Sequence, residues 1–182
     1  MKLLPLILLV GVGCAPLAAE RKGDAAFRRA IVAHVRGDDA AAEREYREIL
    51  SLGLDWSPVY NNLAVIAVHR HEYRVARRLL AHAVAANAED VVALTNYGVM
   101  SYWLADLKEA QRTLAEARAL RRTLITRLAG GPRDEWRADS WARATAPLDE
   151  RAERYLSKIA RSEVSAAPTP TDLTAETDRT HF

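Results

Sequence analysis

A period of 34 residues runs through the middle of this sequence and dictates its architecture. Ala30, Ala64 and Gly98 recur at that interval, as do Ala42, Ala76 and Ala110, and Ile49, Ala83 and Ala117. In a chain with 34 alanines some matches are accidental, so other residue types must agree. They do: Asn62 with Asn96, Leu63 with Tyr97, Tyr60 with Leu94, and Tyr46 with Leu80 and Leu114. A fixed period of this length marks a repeat array, in which each unit buries its apolar face against its neighbours. Three units follow, 23–56, 57–90 and 91–124. They are helical, because Ala, Leu, Arg and Glu dominate and the whole chain has only 8 Gly and 7 Pro.

This register resembles the tetratricopeptide repeat. The resemblance implies an all-α fold: a short solenoid of three helix-turn-helix repeats followed by C-terminal capping helices. The turns fall at Gly37-Asp38, His71-Glu72 and Ala105-Asp106. The eighth residue of each unit is small (Ala30, Ala64, Gly98) and the twentieth is Ala (Ala42, Ala76, Ala110). Antiparallel helices need small side chains where they cross and larger ones beside them. The first unit departs from the pattern, with Arg29 where Leu63 and Tyr97 sit. The proline that usually ends a unit is replaced by Ala88 and Arg122.

Beyond residue 124 the register stops. The second helix of the third unit runs on from Leu107 to about Leu128 and ends at Gly130-Gly131. Pro132 and Pro147 suit the starts of two further helices, roughly 133–145 and 147–163. In the latter, Leu148, Ala152, Tyr155, Leu156 and Ile159 share one face. That helix caps the open end of the array, within a segment 125–164. Asp149 and Glu150 sit in its first turn, favourable against the dipole. The Thr/Pro-rich tail, 165–182, is expected to be disordered.

At the other end, Lys2 precedes an apolar run, Leu3 to Val12, followed by Gly13 and the only cysteine, Cys14. The run is short for a membrane span and has the layout of an export signal. It resembles the bacterial lipoprotein signal, although Gly11 stands where an aliphatic residue is usual. The resemblance implies cleavage after residue 13, lipidation of Cys14 (palmitate among its chains), a tether over 14–22, and a protein anchored in the envelope. Ala15 after the cysteine points to the outer membrane, facing the periplasm. A soluble exported protein is the alternative.

No motif here suggests catalysis, and neither an enzyme activity nor a cofactor is expected. There is no phosphate loop, no G-x-S-x-G and no H-E-x-x-H. No metal is expected: His69 and His71 point different ways, and one cysteine supports no multi-cysteine site. Asp38-Asp39, Glu89-Asp90 and Asp149-Glu150 lie where helices start, so they read as capping residues. Lys+Arg 26 against Asp+Glu 24 gives no bulk attraction for nucleic acid.

The expected partner is therefore a protein. Tetratricopeptide proteins bind along the face made by their first helices. Carried over, that face offers Phe27, Ile31 and His34, then Asn61, Val65, Val68 and His69, then Thr95, Val99, Tyr102 and Trp103. It contains no Lys or Arg with which to clamp a terminal carboxylate. Two alternatives remain: it receives an apolar segment of a partner, or helix 147–163 fills it and makes those residues core. Envelope assembly machinery (pilus, secretion or cell wall) is the partner class. Arg77-Arg78 and Arg121-Arg122 read as a solvated outer face; with Trp136 and Trp141 they are the alternative, a membrane-surface contact.

Overall fold

A computed structural model of the chain describes residues 14–129 and 135–161, and these form seven α-helices with no strand among them. The signal segment 1–13, the Gly130-Gly131-Pro132 stop and the tail 165–182 lie outside the described residues. The chain divides into two compact units, 1–55 and 56–182.

The first unit is one antiparallel pair, α1 (Cys14–Val35) and α2 (Asp39–Ser51). Residues 14–22, expected as a tether, lie within α1, continuous with the first repeat helix. Ala26 and Ala30 pack on Ala42, Tyr46 and Ile49, all fully buried. Arg29, the odd residue of this repeat, stays on the surface. It bridges to α2 through Glu45 at 2.7 Å and Glu48 at 3.2 Å.

The second unit holds two pairs and a cap. α3 (Ser57–His69) pairs with α4 (Tyr73–Ala86), and α5 (Val91–Trp103) with α6 (Leu107–Leu128); α7 (Glu135–Ala160) follows. The turns within pairs repeat to the atom. Gly37, His71 and Ala105 take positive φ of 77°, 62° and 61°. Their N–H groups donate to the carbonyls of His34, Val68 and Tyr102, each at 2.9 Å. The next N–H, of Asp38, Glu72 or Asp106, reaches back five residues to Ala33, Ala67 or Ser101. This double closure satisfies carbonyls that a helix end leaves open, and it requires the left-handed residue. In two of the three turns the acid then caps the next helix: Asp38 accepts from Ala41 N and Asp106 from Glu109 N, whereas Glu72 makes no side-chain cap. Asp90 does the same for α5, accepting from Val92 N and Ala93 N.

Small residues set the closeness of each pair. A Cβ on Gly98 would lie 2.7 Å from Leu114 Cγ and 3.2 Å from Leu114 N, so α5 and α6 approach too closely for a side chain there. Ala64 and Leu80 occupy the corresponding positions of the α3–α4 pair, in a core with Ala67, Val68, Ala76 and Met100.

Two expectations for the C-terminal segment are corrected. Pro147 starts no new helix; it lies inside α7, a single helix of 26 residues. A proline interrupts the N–H ladder and ordinarily breaks a helix. Here α6 holds α7 in the turn just before the proline. Arg121 Nη2 donates to Ala142 O at 2.6 Å, and Arg121 Nε donates to Thr145 Oγ1 at 2.8 Å. Thr145 Oγ1 in turn donates to Trp141 O at 2.8 Å. Arg121 is therefore no part of a solvated face, its side chain being only 11% exposed. Asp149 is no first-turn acid: it sits mid-helix and pairs with Arg118 at 2.9 Å and Arg121 at 3.7 Å.

Candidate interaction face

The first-helix face of the third repeat consists of Thr95, Val99, Tyr102 and Trp103 on α5, and α7 covers it. Val99 and Tyr102 join Ala110 and Leu114 of α6 and Ala152 and Tyr155 of α7 in one buried cluster, with Leu156 and Ile159 at its edge. This is the apolar face of α7 expected from residue spacing. Tyr102 and Tyr155 meet edge to face, centroids 5.0 Å apart, and Trp103 stands 5.9 Å from each. Such ring pairs add roughly 0.5–1.5 kcal/mol beyond the area they bury. Of the two alternatives for this stretch, the structure takes the second: the chain's own helix fills it. Thr95 is fully buried, and its hydroxyl donates to Val91 O at 2.8 Å.

On α3, Asn61, Val65 and Val68 are buried and His69 is half-buried at the helix end. Val68 belongs to the core it shares with Met100, against which Trp103 also packs. In the first unit, His34 is buried edge-on to Tyr46 at 6.2 Å, with Asp39 Oδ1 4.0 Å from its Nε2. Phe27 lies 6.0 Å from the same tyrosine and is half-buried, as is Ile31. The exposed large apolar side chains of this region lie on α1: Leu17 near its start, and Val32 (48% exposed) and Val35 (63% exposed), one turn apart, at its end.

A polar chain runs through the packed face, and residue spacing did not reveal it. Asn61 Nδ2 donates to Asn62 Oδ1 at 3.4 Å, and Asn96 Nδ2 donates to Asn61 Oδ1 at 2.9 Å. Arg151 Nη1 of α7, only 6% exposed, donates to Asn96 Oδ1 at 3.2 Å. Buried amides and a buried guanidinium are costly unless they are hydrogen-bonded, and these are matched to one another. The available signal was the recurrence of Asn62 and Asn96 together with an arginine on the capping helix.

Polar contacts also join the pairs at their ends. Ser57 Oγ donates to Asp90 Oδ2 at 2.6 Å, and Arg77 reaches Asp106 at 2.6 Å. On α6, Arg112 holds Glu109 at 2.7 Å and Glu116 at 2.9 Å. The Arg112 hydrogen bond keeps the Glu109 carboxyl below the ordinary carboxylate range. Trp141 is half-buried.

The helix pairs, their periodic turns and the terminal cap define a tetratricopeptide-type all-α fold. No protein-family model matches the sequence, and no curated protein matches it. Among solved structures the chain is similar to MamA, a tetratricopeptide-like protein, with a TM-score of 0.52 and 15% identity over 81% of this chain and 82% of that one. At that identity the likeness shows the fold alone.

Proposed function

We propose that this chain is a protein-interaction scaffold of the bacterial envelope, anchored by a lipid on Cys14. The observation that carries the scaffold reading is the tetratricopeptide-type repeat architecture, which offers long side-chain surfaces to partners. The anchor rests on the sequence around Cys14. If Cys14 is lipidated, Gly23 lies nine residues along α1 from the anchor, about 14 Å at the helical rise. The first unit then works close to the membrane.

The partner surface of this reading starts on α1, at Ile31 with Val32 and Val35. These residues keep exposure, whereas Val99 and Tyr102 are taken up by α7. Ile31→Asp with Val35→Asp is expected to abolish in-cell cross-linking to envelope partners while the thermal midpoint stays within a few degrees. Unchanged cross-links would remove α1 as the working surface. Cys14→Ser is expected to move the protein from the membrane to the soluble fraction. Its retention after carbonate washing would exclude the lipid anchor.

A further inference from the structure

The second helices of the three repeats differ in their acids. α2 carries Asp39, Glu43, Glu45 and Glu48, and α6 sets Glu109 and Glu116 among its basic residues. α4 carries Arg74, Arg77 and Arg78 and no acid anywhere along its 14 residues. These three arginines, with Ala81 of α4, Tyr97 of α5 and Leu104 just beyond it, line a surface recess of about 530 Å³.

Their situations are unequal. Arg77 is fixed: it reaches Asp106 Oδ2 at 2.6 Å and lies over the Tyr97 ring, 5.9 Å from its centroid. Arg74 and Arg78 are exposed, and neither forms an ion pair with the described residues. They stand four apart on one helix, a like-charge spacing that destabilises a helix. Arg74 also lies in the first turn, where the helix dipole disfavours a cation, and the one acid at that end, Glu72 at the N-cap, forms no ion pair with it. Asp106 forms an ion pair with Arg77 alone, which leaves Arg74 and Arg78 without one among the described residues. An anion in the recess would offset both the like-charge spacing and the dipole. Guanidinium forks suit phosphate oxygens, and Ala81 and Leu104 offer an apolar wall beside them.

We propose that this recess binds a phosphate ester, with Arg74 and Arg78 meeting its anionic oxygens and Arg77, held by Asp106 and Tyr97, fixing the back of the site. Either an anionic phospholipid headgroup or a soluble phosphate would supply that chemistry. The test measures binding of the full chain to inorganic phosphate, and separately to phosphatidylglycerol and phosphatidylcholine vesicles. Three forms are compared: wild type, Arg74→Gln/Arg78→Gln, and the charge-matched control Arg47→Gln/Arg112→Gln. The control residues are exposed and already ion-paired, to Glu43 and to Glu109 and Glu116.

The expected result is a loss of about tenfold or more in the first double variant, with the control close to wild type. The thermal midpoint of the first variant should be unchanged or raised, because a repulsion is removed. Loss confined to phosphatidylglycerol vesicles assigns the lipid; loss with free phosphate assigns a soluble ester. No binding to either probe, or an equal loss in the control, overturns the site.

Discussion

α4 and α6 hold equivalent places in successive repeats and both carry clustered arginines, yet the clusters do opposite things. On α6, Arg118 and Arg121 find Asp149, Thr145 and the Ala142 carbonyl on α7. They fasten the cap. On α4, Arg74 and Arg78 find no acid among the described residues. Sequence alone presents Arg77-Arg78 and Arg121-Arg122 as the same solvated pattern. What separates them is whether a later segment returns carboxylates and other acceptors to that helix. An arginine pair on a repeat is thus neither surface nor glue by itself.

The strongest way to break this contrast is to remove the cap's anchor. Tyr155→Ala should cost about 3–5 kcal/mol, seen as a fall in the chemical-denaturation midpoint of the second unit. A cost below about 1 kcal/mol would mean that α7 is not packed on Tyr102. Next, Gly98→Ala should cost about 1–3 kcal/mol, because Leu114 is fully buried and its backbone nitrogen cannot move aside. Ala64→Gly in the equivalent place should cost only about 1 kcal/mol.

Arg121→Met keeps the aliphatic stem but removes the donors beside Pro147. It should cost about 1–3 kcal/mol and speed amide exchange in α7 near that proline. Matched exchange in wild type and variant would show that α7 needs no help there. The corresponding change on α4, Arg74→Gln with Arg78→Gln, should raise stability by a few tenths of a kcal/mol.

A further effect concerns pH. Because Arg112 holds the Glu109 carboxyl below its ordinary range, this pair stabilises at neutral pH and ceases to do so in acid. Its contribution is fully present above the unfolded carboxylate value, about 4.3, and fades as pH falls through the lower folded value. Arg112→Ala should therefore lower stability slightly at pH 7, by about 1 kcal/mol or less at this partly exposed site, and converge with wild type near pH 2. A gap that persisted there would assign the loss to packing.

Much of this architecture was legible from local rules. The period of 34 located the three turns at Gly37, His71 and Ala105, and the small residues Ala64 and Gly98 located the helix crossings. The apolar face of α7 was legible too, since Leu148, Ala152 and Tyr155 follow helical spacing. The continuity of α7 through Pro147 was not, because the contacts that hold the helix just before the proline come from Arg121, over twenty residues away in the chain. The covering of Val99 and Tyr102 was visible only as one of two alternatives. An apolar helix face looks the same whether a partner or the chain itself buries it.

The buried amide chain bears on folding fidelity. An array of look-alike pairs invites α7 to settle one repeat too early, on α3 instead of α5, since Asn62 is the counterpart of Asn96. But Asn62 already accepts from Asn61, and Asn61 has its own counterpart in Thr95, whose hydroxyl is turned onto its own helix. Asn96 presents the oxygen that Arg151 Nη1 meets. On α5 the guanidinium closes an amide chain that runs back through Asn96 to Asn61 and Asn62, whereas on α3 no such chain would lie behind its acceptor, so one arginine distinguishes the last repeat from the one before it.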